Sequence, residues 1–337
     1  MKFTRVPRIK LNDASVVYHC MSHLVEGHRF FHDFEKDKFV SLMRRNAAFF
    51  GFEIITFCVM DNHFHILARL PLEDGQTVQQ KIDAISDQSL IDRCRAFYGE
   101  DSKQVQLLSK ELAASGKLSP DTRSDFTYRL FDVSHFMQSL KVSFSRWFNT
   151  IHNRKGTLWS ERFESSVVED KSSASQIIAR YIDLNPVRAG LVGDPKDYRW
   201  CGYAEAVAGV KAAQNGIMLA EPGDTWEKSA AEYRMKLFIS AGSPGSPDKA
   251  ALSSEEIFKV LNEGGKIQEH QLVMLRVRHF IDGVAIGAKG FTNEIFAKFR
   301  DHFGERRKDG ARVIPQLADS ALTILRNFRK AAFTKRT

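Results

Sequence analysis

The chain has 337 residues, 49 Lys+Arg against 41 Asp+Glu for a formal charge of +8, and 43% hydrophobic residues. That is enough apolar surface for a buried core and excludes a disordered chain, while the length admits two or three domains of roughly 100–200 residues each. No apolar run approaches the ~20 residues that span a bilayer, and the opening Met1-Lys-Phe-Thr-Arg-Val-Pro lacks the apolar stretch of a signal peptide. The four cysteines, Cys20, Cys58, Cys94 and Cys201, are far apart and form no Cys-x-x-Cys pair, which argues against a zinc ribbon or a disulfide scaffold. The expectation is a soluble, cytoplasmic protein.

The elements read as follows in chain order. Val16-Val-Tyr-His-Cys20 is β-branched and aromatic and predicts a strand. Phe34, Phe39, Leu42, Met43, Ala47 and Phe50 recur at helical spacing, and Gly51 closes that helix. Residues 52–59 and 63–70 alternate as strands around Met60-Asp-Asn62, predicting a β-hairpin. Residues 71–128 read as a helical insertion. Amphipathic helix resumes over 134–150, a strand follows near 163–168, and another helix runs from about Ser173 to Leu184. Residues 206–250, rich in Gly, Ser and Pro towards their end, read as a linker.

Charge is unevenly placed. From Gln271 to Thr337 there are 14 Lys+Arg and 6 Asp+Glu, so 14 − 6 = +8, and the rest of the chain nets to zero. Residues 251–337 are therefore expected to be a basic helical region. The run Ile281-Asp-Gly-Val-Ala-Ile-Gly-Ala-Lys-Gly290 reads as a glycine turn between helices, and Arg306-Arg307-Lys308 as a basic loop. A helix-turn-helix that binds DNA and a helical hairpin packed on the core both satisfy this pattern.

The most informative triplet is His63-Phe64-His65. On a strand the two histidines share one face, about 7 Å apart along the chain, while Phe64 anchors the other. Alone, His-x-His is a weak metal signal, and solvated or core histidines are the default. Tyr181 and Asn185, four apart, share one helical face. A structural reading competes here as well. Tyr181 extends the stripe Ile177–Tyr181–Leu184, and Asn185-Pro186 with Gly190 would make a short capped turn.

Four blocks, taken together and in order, say more: Met60-Asp-Asn-His-Phe-His-Ile-Leu67, Gly156-Thr-Leu-Trp-Ser-Glu-Arg-Phe163, Tyr181-Ile-Asp-Leu-Asn-Pro-Val-Arg-Ala-Gly190 and Tyr198-Arg-Trp-Cys-Gly-Tyr203. They resemble the single-tyrosine HUH transposases, and within that group are most similar to the REP-associated tyrosine transposases. The resemblance covers about residues 10–70 and 130–205. It implies an α+β fold, a ferredoxin-like antiparallel sheet with helices on one side, with residues 1–70 and 129–205 forming the catalytic domain. It also implies Mg²⁺ or Mn²⁺ held by His63, His65 and Asn185, and Tyr181 as a nucleophile that forms a 5′-phosphotyrosine on single-stranded DNA beside a hairpin or repeat.

The residue chemistry agrees with that assignment. Hard cations accept such a donor set with water and keep room for a phosphate. Arg154, Lys155, Arg162 and Arg188 are expected at phosphates, and Trp159 and Phe163 against unpaired bases, with core packing of the two rings the competing reading. His19 and His23 compete weakly as ligands. Two other function classes stay open: a catalytically silent, domesticated repeat-DNA-binding protein, and a phosphodiesterase in which water attacks. A homodimer and association with the nucleoid are the further expectations.

Overall fold

The computed structural model describes residues 8–242, 284–313, 322–326 and 328. Strand β1 (Val16–His23) leads into helix α1 (Asp33–Phe50), then the hairpin β2 (Glu53–Val59) and β3 (His63–Leu70). Helices α2 (Val78–Asp83), α3 (Asp87–Tyr98), α4 (Lys103–Ser115) and α5 (Pro120–Thr127) form the helical insertion. Then come α6 (Val133–Ile151), β4 (Glu164–Glu169), α7 (Ser173–Asp183) and the single turn α8 (Asn185–Arg188).

The strands pair antiparallel in the order β2-β3-β1-β4. This is the ferredoxin-like arrangement, with α1 and α6 as its two connecting helices on one face. Two histidines of β3 meet β1 in a fixed register, His63 opposite His23 and His65 opposite Met21.

The helices do not stay on one side. β1 and β3 are buried along both faces, so each face must be covered. Val16, Tyr18, Phe64 and Ile66 pack with Phe39, Phe136 and Phe144 in one core. Val17, Leu67 and Val168 pack with Ile178, Ile217 and Tyr233 in a second. The second core is closed by α9 (Gly202–Val207), α10 (Lys211–Ala220) and α11 (Trp226–Gly242). The stretch read as a linker therefore carries two helices up to residue 242. Its glycine at 216 is used for proximity: a Cβ there would stand 2.3 Å and 2.4 Å from the carbonyl oxygens of Ile55 and Ile54. Residues 243–250 of the expected linker lie outside the described residues.

The C-terminal segment enlarges the same sheet. β5 (Ala285–Gly287) pairs parallel with β4, and after α12 (Lys289–Lys298) the short β6 (Arg312–Val313) and β7 (Thr323–Leu325) extend it. Within the glycine run expected as a turn, Ala285–Gly287 is thus a strand and Lys289-Gly290 opens a helix, while 281–283 lie outside the described residues. Gly287 lets the Phe291 ring and the Glu169 side chain close on the backbone, where a Cβ would meet them at 2.6 Å and 2.8 Å. The first helix of the expected helix-turn-helix, near residues 253–261, lies outside the described residues. No helix among the described residues is long and apolar enough to cross a membrane.

Candidate active site

The site forms where α7 crosses the β1–β3 pair. Helix α7 starts at Ser172, whose hydroxyl accepts from the Ser175 N–H, and its apolar side (Ala174, Ile178, Ile182) is buried against the sheet. Tyr181 lies on that helix with 6% of its surface exposed. Its ring stands edge-on to His65, centroids 5.9 Å apart, and to His19 at 6.4 Å. The Arg188 guanidinium, carried on α8, is 4.6 Å from the Tyr181 ring centroid.

Four histidines share the sheet face beneath. His63 and His65 are 5.2 Å apart between centroids, His23 stacks on His63 at 5.2 Å, and His19 stacks on His65 at 5.2 Å. Sequence reading ranked His19 and His23 low, although their parity with Met21 already puts all three on one face of β1. Which β3 residues stand opposite them depends on pairing across some forty residues, which no local pattern carries.

Each β3 histidine is held through one ring nitrogen. His63 Nδ1 is 2.7 Å from Asn62 Oδ1, an acceptor, so Nδ1 carries the proton and Nε2 the lone pair. His65 Nδ1 is 3.0 Å from His19 Nε2. Burial, then the charges of neighbouring His23, brings His63 down to about 4, and burial with His19 lowers His65 well below the usual imidazole range. Both rings are neutral at physiological pH, the form that binds metal.

Asn185 does not cap a turn. Leu184 occupies the cap position, and the Asn185 amide nitrogen donates to the carbonyls of Tyr181 (3.2 Å) and Ile182 (3.3 Å). The amide oxygen, the atom a hard cation takes, is at the other end of the group. Two neutral imidazoles oriented by outer partners and one amide oxygen fit a divalent ion that retains water. Among the described residues no group of three or more His, Cys, Asp or Glu is placed to hold a metal ion.

Directly beneath Tyr181 in sequence lies a second feature that the motif reading passed over. Asp183 is fully buried and accepts from Thr56 Oγ1 (2.7 Å), the Tyr203 N–H (3.2 Å) and Tyr233 Oη (2.6 Å). Burial pushes its carboxyl up to about 7 despite those three donors. It ties α7 to β2, α9 and α11, fixing the helix that carries Tyr181.

The expected DNA contacts divide. Arg188 joins the tyrosine site. Arg162 and Lys155 are exposed on the far side of the sheet, and Arg162 lines a groove of about 900 Å³ with Arg8, Lys141 and Arg146. Arg154 donates to the Thr157 carbonyl at 2.9 Å and lies over Phe30 at 5.4 Å. Trp159 is 8% exposed, packed against Phe31, Phe39, Phe64 and Phe144, and its indole N–H donates to Ser145 Oγ at 2.8 Å. Trp159 thus packs in the core, and it also lines the groove beside Arg162. In the C-terminal loop Arg306 and Lys308 are exposed. Arg307 donates to the carbonyls of Asp309, Gly310 and Arg326 and packs over Phe296 and Phe303.

No family model matches the chain, and no curated protein sequence matches it. Among solved structures it is similar to that of a REP-associated tyrosine transposase bound to a REP hairpin, at 14% identity and a TM-score of 0.38. That alignment covers 61% of this chain and 87% of the other.

Proposed function

We propose that the chain is a metal-assisted enzyme that nicks and rejoins single-stranded DNA beside a hairpin or repeat, with Tyr181 as nucleophile. The observation that carries this reading is the convergence of Tyr181, His65 and Arg188 over one sheet face. His63, His65 and Asn185 would hold Mg²⁺ or Mn²⁺, which when bound polarises the scissile phosphate and offsets its charge.

Tyr181 gives up its phenolic proton and Oη attacks phosphorus. The P–O3′ bond breaks, the 3′ oxygen leaves and takes a proton as a hydroxyl, and the 5′ phosphate stays esterified to Tyr181. A 3′-hydroxyl attacking that ester reverses the steps, so rejoining needs no ATP. Arg188 meets the charge of the phosphate from α8.

The burial of Tyr181 favours the second reading, a repeat-DNA-binding protein in which Tyr181 only packs. One experiment separates them: incubation with labelled single-stranded hairpin oligonucleotides and Mn²⁺, followed by denaturing electrophoresis. An SDS-resistant adduct with the fragment 3′ of the cut, joined through its 5′ phosphate and lost in Tyr181→Phe, supports the nuclease. Binding without cleavage supports the silent binder. Cleavage without an adduct makes water the nucleophile.

A further inference from the structure

At the end of the sheet where β1 leaves His23, the α1–α6 layer carries rings that the core covers only in part. The segment after β1 leaves His23 and passes the hairpin turn, where the Leu24 N–H donates to the Asn62 carbonyl (2.8 Å) and the Phe31 N–H to the Asp61 carbonyl (3.0 Å). On that segment the His28 ring stacks on Phe30 at 4.8 Å, with an interplanar angle of 25°. As the second residue of α1, Phe34 is 60% exposed and rests on Trp147 of α6 at 5.3 Å. Ile151, one turn further along α6, is 54% exposed. A single exposed phenylalanine means little. Two ring pairs along one path from the histidines are a patch.

Cations are interleaved with those rings. The Arg154 guanidinium lies 5.4 Å over Phe30 and the Lys38 ammonium 5.7 Å over Trp147, while Arg29 and Lys155 are exposed beside them. Of the acids on this part of α1, Glu35 is turned to His152 (2.9 Å) and Asp37 to Arg199 and Trp200 (2.9 Å each), which leaves Asp33. Flat rings alternating with positive charge match an unpaired nucleic-acid strand, whose bases present π faces and whose phosphates are negative. A duplex hides its base faces. A protein partner would call for a continuous apolar surface, which four cations interrupt.

We propose that His28, Phe30, Phe34 and Trp147 form a stacking platform for the unpaired strand at the end of the sheet where His23 and His63 lie. This deepens the nuclease reading and rests on it, giving the path of the strand beyond the scissile phosphate.

The test uses the full chain and a short fluorescein-labelled oligothymidylate, read by anisotropy, with a duplex of equal length alongside. Phe34→Ala and Trp147→Ala should each weaken single-strand binding about tenfold, in line with the usual contribution of one base–aromatic stack. Duplex binding should be unchanged, as should single-strand binding by Leu107→Ala, an equally exposed apolar residue on the insertion. Wild-type affinity in both platform variants overturns the proposal, as does failure of the wild type to bind the oligonucleotide. Loss of self-association in the variants at unchanged oligonucleotide affinity assigns the patch to a second copy and overturns it too. If the variants weaken binding but no strand ever forms an adduct with wild type, the platform stands and the nuclease falls. If adducts form and the variants bind normally, the reverse holds.

Discussion

Tyr233 on α11 donates its hydroxyl to Asp183 on α7 at 2.6 Å, joining the helix that carries Tyr181 to a helix fifty residues further along the chain. With Thr56 and the Tyr203 N–H on its other oxygen, the carboxylate is the one acceptor for three buried donors. Asp183→Ala should therefore destabilise the protein by about 3–5 kcal/mol, and Tyr233→Phe by about 1–2 kcal/mol. Urea unfolding of the two variants measures both. Equal, sub-kcal losses would show that α7 is held by its apolar side alone.

His19 orients His65 through the 3.0 Å contact to Nδ1. Outer partners of metal-binding histidines contribute 10–100-fold in affinity. His19→Leu should weaken Mn²⁺ binding by about that factor in calorimetric titration of the full chain, without removing either ligand. An unchanged dissociation constant would take His19 out of the site.

Lys141 is the clearest pH sensor on the far side of the sheet. Burial, then Arg8 and Arg162, bring it from 10.5 down to about 8, although Nζ donates to Ser22 Oγ at 2.7 Å. The folded value lies below the unfolded one, so the buried charge costs stability at pH 7. The cost fades as pH rises from about 8 towards 10.5. Relative to Lys141→Met, the wild type should gain up to about 3 kcal/mol between pH 7 and 10.5. Parallel urea curves for the two proteins at both pH values would read the difference, and a constant gap would refute it.

Gly216→Ala places a methyl group within 2.4 Å of two β2 carbonyl oxygens. Strand and helix must separate to admit it, at a cost of about 2–4 kcal/mol. The thermal midpoint should fall accordingly. A neutral substitution would mean that α10 can ride outward freely.

Much of this architecture is legible in residue order. The hairpin announces itself because period-two alternation brackets Met60-Asp-Asn62, and the same parity puts His63 and His65 together. Tyr181 falls on a well-capped amphipathic helix. What stayed hidden depends on distant partners. His23 meets His63 only through strand register, and Asp183 draws its donors from β2, α9 and α11. Composition misled in two places, at 206–242 and at 285–287. There glycine served close approach between elements and not flexibility.

The outer edge of β2 has one more effect. The Cys58 backbone pairs antiparallel with that of Cys201, the Val59 N–H donates to the Trp200 carbonyl at 3.0 Å, and α10 lies against Ile54 and Ile55. Main-chain groups that would otherwise template a neighbouring strand are occupied or covered. Two copies of the chain cannot fuse their sheets through β2. That protects the chain from ribbon-like aggregation at this border, and any twofold partner has to dock elsewhere.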